Sequence, residues 1–282
     1  MTYGYTPTIA RRLVRAIARV FIRLFRLNGR SIWSNEVTQC LRPVATTHLD
    51  GEKFRFRTGN GRLLWRVRTF PYEEPLMTKW ISTILQSDVV LDIGANCGLY
   101  SVALAKRASL VYACELDPLN VGLIKENAFL NGVHGKVVVL PFACGSDDGV
   151  LDVFFRDLTP GDALQSMGRP QILSTRLGQF PHNGPVLTLS LDDLWDRAAL
   201  QRPTKIKIDV DGNEEVVLKG TRRLCATAKE IYFEDTHSIS SEEILGQLFA
   251  LGFVEVERER FGFGSAPGSH DSLGYNRILR RD

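Results

Sequence analysis

Acids that close apolar runs are the residues most able to do chemistry in this chain of 282 residues. Asp92 follows Val89-Val90-Leu91 and leads into Ile93-Gly94-Ala95-Asn96-Cys97-Gly98, a glycine-punctuated turn that opens a helix-compatible segment. The spacing lacks the three glycines of the dinucleotide fingerprint and the Gly-Lys-Ser/Thr end of a phosphate loop. Gly94 permits a tight turn at a strand end, and Gly98 lets the chain pass close to a ligand. Glu115 closes Leu110-Val111-Tyr112-Ala113-Cys114, and a carboxylate there can accept hydrogen bonds from both hydroxyls of a ribose. Glycines alone occur in many strand–helix turns, and a lone strand-end acid is often only solvated. Asp92 and Glu115 together point to a nucleoside-containing cofactor.

A second acid pair, Asp209 and Asp211, follows Lys205-Ile206-Lys207-Ile208. Residues two apart in an extended segment face one side. Glu234-Asp235-Thr236-His237 ends a neighbouring apolar run. Two chemistries suit these residues. Asp209 and Asp211 can ligate Mg²⁺, with Glu234 or His237 completing the shell. Alternatively Asp209, Asp211, Glu234 or His237 removes the proton of an acceptor hydroxyl directly. A plainer role is also open, in which Asp209 only hydrogen-bonds a cofactor amino group and Glu214 only starts a helix. His48, His134, His182 and His270 stand apart from such clusters and read as solvated or structural.

Val90-Leu91-Asp92-Ile93-Gly94-Ala95-Asn96-x-Gly98 followed by Glu115-Leu116-Asp117-Pro118 resembles the S-adenosylmethionine-dependent class I methyltransferases. Ile206-Lys207-Ile208-Asp209-Val210-Asp211-Gly212-Asn213-Glu214, with Leu218 and Gly220, resembles the FkbM branch, as do Asn127, Asn131 and the run Ala143 to Gly149. That signature usually carries Glu where Asp211 stands. The resemblance spans roughly residues 70–257 and implies a doubly wound α/β fold. Its seven-stranded sheet would have the order 3-2-1-4-5-7-6, mostly parallel with an antiparallel last strand. It implies S-adenosylmethionine as cofactor, bound by Asp92, Gly94, Ala95, Asn96, Gly98, Glu115, Leu116, Ala143 and Asp209. It also implies O-methylation of a sugar, polyketide-like or lipid-linked hydroxyl. A non-catalytic scaffold that retains the cofactor fold is the competing expectation.

The elements that must position these residues follow from periodicity. Val137–Leu140, Lys205–Val210, Glu230–Phe233, Phe253–Val256 and Asn276–Leu279 read as strands; Leu99–Lys106, Leu191–Ala199, Glu214–Arg223 and Ser241–Leu251 read as helices. Before the glycine turn, Phe54–Arg57 alternates, Thr58-Gly59-Asn60-Gly61 reads as a hairpin turn, and Leu63–Val67 reads as extended. Pro71–Leu76 and a helical run to Gln86 follow, and such a segment can pack over the open edge of the ligand site. Three regions result: an amphipathic helix at 1–35, a β-rich cap and linker helix at 36–84, and a methyltransferase domain at 85–282. Within the last, the Gly/Pro-rich residues 157–185 read as an acceptor-binding lid.

The net charge of +3 is unevenly spread. Residues 1–35 hold seven arginines and no acid, leaving 28 basic and 32 acidic side chains in the body. This balance argues against nucleic acid as a partner. At 100° per residue the arginines Arg11 to Arg30 fall in an arc of about 120°, opposite a Leu/Phe/Ile face. Such a helix suits an anionic membrane surface, a docking face on its own body, or an organelle presequence. The expected location is cytoplasmic, peripheral on a membrane, or an organelle reached through this helix. Five cysteines without CxxC spacing fit a reducing compartment.

Overall fold

A computed structural model describes residues 42–162, 166–167, 182–235, 241–262 and 273–281, together with residues 16, 17, 19, 20 and 23 of the arm. Those five arm residues are helical and exposed. The chain divides into two compact units, Met1–Pro43 and Val44–Asp282. Among the described residues no helix is long and apolar enough to cross a membrane.

The second unit is built on a seven-stranded sheet. Its strands are β3 (Val89–Ile93), β4 (Leu110–Cys114), β5 (Val137–Leu140), β10 (Lys205–Ile208), β11 (Glu230–Asp235), β12 (Val254–Gly262) and β13 (Leu273–Arg280). Their spatial order is β12-β13-β11-β10-β3-β4-β5. Counted along the chain this is 3-2-1-4-5-7-6, the order the sequence implies, and only β13 runs antiparallel to its neighbours. The central strands read as unbroken apolar runs because both faces are covered. On β3, Val89, Leu91 and Ile93 pack into one core cluster and Val90 into the other. Helices α3 (Leu99–Arg107) and α4 (Pro118–Leu130) cover one face; α5 (Leu191–Ala198), α6 (Glu214–Lys219), α7 (Arg222–Cys225) and α8 (Ser241–Ala250) cover the other. The single helix expected over Glu214–Arg223 breaks at Gly220. A Cβ there would lie 1.8 Å from the Gly145 carbonyl oxygen, so the backbone approaches as only glycine allows.

The region before the sheet departs from the sequence reading. The hairpin pairs β1 (Val44–Leu49) with β2 (Glu52–Arg57), and its turn is Asp50-Gly51, both with positive φ. Thr58–Gly61 is therefore no hairpin turn. Asn60 caps a helix instead, its side chain accepting from the Leu63 amide at 2.9 Å. Leu63–Val67, read as extended, lies inside that helix, α1 (Gly61–Thr69). Leu63 and Val67, four apart, are its buried face, a period that five residues of apolar bias did not reveal. Helix α2 (Pro75–Ser82) follows. Phe54, Phe56, Phe70 and Trp80 share one core with α3 and β3, so this region packs on the sheet.

A smaller four-stranded sheet holds β6 (Ala143–Cys144), β7 (Gly149–Phe155), β8 (Ser166–Met167) and β9 (His182–Leu189). Part of the stretch expected as a lid is thus paired strand: His182–Pro185 lies opposite Asp152–Phe155.

Candidate active site

A cavity of ≈ 420 Å³ opens at the carboxyl ends of β3, β4, β10 and β11. Its size falls in the range of small-ligand clefts, roughly 300–1,000 Å³. Gly94 (φ +84°) forms its floor, and a Cβ there would lie 1.8 Å from the Asp209 carbonyl oxygen. The turn from β3 therefore has room for backbone only. Glu115 is buried and already oriented: the Asn96 amide donates to one oxygen at 2.7 Å and the Asp117 amide to the other at 2.8 Å. Asn120 Nδ2 also donates to the second oxygen, at 3.4 Å, so the oxygen that faces Asn96 keeps the freer lone pair for a ribose hydroxyl. Burial pushes the Glu115 carboxyl up to about 7, against the pull of those amides. Leu116, Phe142 and Ala143 supply an apolar wall beside it, suited to a purine ring.

The acids at the ends of β10 and β11 surround one lysine. Lys207 lies opposite Asp92 in the parallel register of β10 and β3, and the sheet leaves it only 1% exposed. Its Nζ pairs with Asp92 at 3.3 Å and Asp209 at 2.8 Å. Ser101 Oγ donates to the other Asp92 oxygen at 2.5 Å. Asp209, Asp211 and Glu234 each bring one oxygen within 4.8 Å of the others, in ligand-like array. Asp211 takes a positive φ of 52°, a conformation non-glycine residues adopt at a cost. Gly212 continues the turn, and its amide donates to the buried Glu214 carboxylate at 2.8 Å. Burial pushes Glu214 up to about 7. Glu234 is raised well above the usual carboxyl range by burial and then by the charges of Asp209, Glu74 and Asp211. Glu74, at the foot of α2, is pushed up to about 7 by burial and the Asp209 charge, with Lys207 opposing.

The facing wall is basic. Arg62, Trp65 and Arg66 of α1, and Arg156 just after β7, line the same cavity. Residues 160–162 strap them down. Asn60 Nδ2 donates to the Pro160 carbonyl at 2.9 Å, Arg66 Nε to that of Gly161 at 3.2 Å, and Asn96 Nδ2 to that of Asp162 at 2.8 Å. Burial works against the Arg66 charge, but Cys97, Asp211, Asp209 and Glu73 hold it firmly protonated.

Of the residues singled out from sequence, Gly94, Asn96, Glu115, Leu116, Ala143, Asp209, Asp211 and Glu234 line the cavity. Asp92, Ala95 and Gly98 stand behind it. Asp92 is fully buried under the loop, and a Cβ at Gly98 would meet Ile124 of α4 at 3.1 Å, so Gly98 lets α4 pack close to the loop. His237 lies outside the described residues. Sequence reasoning passed over Lys207, Arg62, Trp65, Arg66, Arg156 and Asp162. Lys207 did leave a signal, a lysine inside an otherwise apolar strand next to the strand that carries Asp92. Asn127 and Asn131, quoted only as motif residues, have a structural task. Asn127 Nδ2 donates to the Cys97 carbonyl, and the two side-chain oxygens accept from the Arg57 and Arg55 amides, each at 2.8–2.9 Å. They tie α4 to the glycine loop and to β2.

Comparison with known proteins agrees with this geometry. A family model described as the TRM5/TYW2 methyltransferase domain matches residues 63–146. The hexuronic acid methyltransferase AglP of Haloferax volcanii is 26% identical over 188 residues, 67% of this chain and 72% of that protein. This chain carries an S-adenosylmethionine-dependent methyltransferase domain. The tRNA (guanine(37)-N(1))-methyltransferase Trm5b of Pyrococcus abyssi is 40% identical over 55 residues, 20% of this chain and 17% of that protein. A solved structure of that enzyme superposes with a TM-score of 0.47 at 15% identity, covering 84% of this chain and 55% of its own. The matched model is TRM5/TYW2, whereas the motif at residues 206–220 resembles FkbM.

These matches overturn one expectation. The acidic balance of the body was read as excluding nucleic acid, yet the matched proteins include tRNA methyltransferases of Pyrococcus abyssi and Methanocaldococcus jannaschii. A net charge averages over a whole domain, whereas a polyanion is met by a local surface, so the balance of the body excludes nothing.

Proposed function

We propose that the protein methylates a hydroxyl of a sugar or glycolipid acceptor, with the chemistry at Asp209, Asp211 and Glu234. One observation carries the reading: three carboxylate oxygens within 4.8 Å of one another beside the glycine floor. A methyltransferase likeness over 67% of the chain to a protein named for hexuronic acid supports it. So does Asp209-Val210-Asp211-Gly212, where an amino-methylating Asn-Pro-Pro-Tyr motif would stand. The FkbM reading rests on the same segment.

The chain's residues fit the cofactor. Glu115 would hold the ribose hydroxyls, Leu116 and Ala143 the base, Asp209 the amino group and Arg66 the carboxylate. When bound, S-adenosylmethionine supplies an electrophilic methyl. The protein holds the acceptor oxygen in line with it and takes the hydroxyl proton. Glu234 is the proposed acceptor of that proton, at the end of β11 beside Asp209 and Asp211, and it takes the proton only where it is ionised. Asp209, anchored by Lys207, fixes the geometry. His237 belongs to the same proposal by its place after β11. The three oxygens also suit Mg²⁺. Turnover that survives chelation assigns them to proton transfer, and turnover restored by added Mg²⁺ assigns them to the metal.

Glu234→Gln and Asp209→Asn, with turnover measured on glycan acceptors and cofactor binding by calorimetry, test the proposal. Each should lower turnover by about 10²–10⁴-fold, the span of general-base catalysis. Wild-type turnover in both variants would sink the base assignment. The match to TRM5/TYW2 favours a second reading, methylation of a tRNA base, and a tRNA transcript belongs in the same assay. Cofactor binding without product on any acceptor would instead favour a scaffold role.

The arm completes the proposal. With residues 1–35 carrying seven arginines and no acid, it recruits the 36–84 cap and the 85–282 domain to an anionic membrane surface. The cytoplasmic face is the site proposed. Flotation on anionic liposomes should need the arm. Equal flotation of a chain starting at Ser34 would refute this.

A further inference from the structure

Arg66 apart, the basic wall holds two arginines that the cofactor reading does not use, Arg62 and Arg156. Arg62 Nη1 and Arg156 Nη2 both donate to one oxygen of Asp162, at 2.5 and 2.6 Å. Asp162 is 1% exposed, while both guanidinium groups remain about 30% exposed and line the cavity. A residue 100 positions from Arg62 thus clamps two like charges side by side. Each guanidinium keeps donors beyond the one given to Asp162. Among the described residues, two guanidinium groups thus converge on one buried carboxylate. The next acid, Asp157, is 3.7 Å from Arg62 and 46% exposed, so solvent screens it. Trp65 sits one turn from Arg62, 48% exposed on the same cavity wall. Its ring offers a flat apolar platform of the kind that sugar C–H faces meet.

We infer that Arg62, Arg156 and Trp65 form an acceptor subsite that reads a carboxylate on the sugar to be methylated. This rests on the proposed sugar methylation and names its substrate class, a uronic acid. The acids at Asp209, Asp211 and Glu234 and the arginine pair line one cavity of ≈ 420 Å³, so carboxylate and target hydroxyl belong to one monosaccharide unit. Paired guanidinium groups match a carboxylate in bidentate fashion.

The test uses the full chain with methyl glucuronide, methyl glucoside and a tRNA transcript as acceptors. Wild type should favour glucuronide over glucoside by about 10–100-fold in kcat/KM, the span of a charge-assisted pair. Arg156→Gln should collapse that ratio through KM on the glucuronide, Arg156→Lys should restore part of it, and Trp65→Ala should weaken both sugars together. Cofactor binding by calorimetry confirms that each variant is folded. An unchanged ratio in Arg156→Gln, with glucuronide turned over, overturns the subsite and leaves sugar methylation standing. A base-labile methyl ester as product makes the carboxylate the nucleophile and overturns it as well. Methylation of the transcript alone, with no glucuronide bound by calorimetry, overturns both the subsite and the sugar reading.

Discussion

The donor half and the acceptor half of the cavity are held together at different ranges. In the donor half the deciding contacts are local: the Asn96 amide reaches Glu115 across 19 residues, and the Asp117 amide reaches it across two. A strand, a turn, a helix and the next strand suffice to make them. In the acceptor half, Arg62 meets Asp162 across 100 residues and Asn60 meets Pro160 across the same span. Nothing local dictates these contacts. They exist because α1 and the strap at 160–162 pack against each other, with Gly161 set against Leu63. The Glu115 cradle is thus a property of one supersecondary unit, whereas the acceptor half, like Asp209 and Arg66 on the donor side, is a property of the whole fold. Variation in acceptor can therefore proceed with that cradle intact.

The largest effect that would sharpen this contrast comes from the lysine joining the two halves. Lys207→Met leaves Asp92 buried without its cation and should cost about 3–5 kcal/mol in urea unfolding, the penalty of a broken buried pair. A loss below 1 kcal/mol would mean that the pair does not hold the two strands together. Gly94→Ala should come next. The new Cβ meets the Asp209 carbonyl, and overpacking of about 1–3 kcal/mol with loss of cofactor binding is expected. Retained binding would show that the floor can give way.

Asn127→Ala should cost about 1–3 kcal/mol by leaving the Arg57 amide and the Cys97 carbonyl without that partner. Its mark is a coupled one: hydrogen exchange should rise in β2 and in the glycine loop together. A rise in only one would separate the two ties.

The smallest effect is a pH dependence confined to the donor half. The Glu115 carboxyl titrates near 7 in the free protein, above its ordinary 4.5. Its contribution to the stability of the free protein is therefore complete below about pH 4.5 and is lost as pH rises through 7. Cofactor binding runs the other way, since both ribose hydroxyls need the carboxylate. Affinity should rise about tenfold from pH 6 to pH 8 with proton release, visible by calorimetry in buffers of different ionisation enthalpy. Glu115→Gln should flatten the profile. A profile unchanged in that variant would move the titration to Glu74.

By itself the sequence determined the central strands and the acids that follow them, because apolar runs and spacing carry that information; the sheet order came through the resemblance of its motifs to class I methyltransferases. It misjudged Leu63–Val67 because a nine-residue helix with two buried positions shows too little period to outweigh local extended bias. Only the tertiary structure decided that Lys207 faces Asp92, that Asn127 and Asn131 hold the hairpin, and that Arg62, Arg66 and Arg156 line one wall. Each of those depends on register or on packing between segments distant along the chain. Their energies exist only once the core has brought the segments together, so no stretch read alone can contain them.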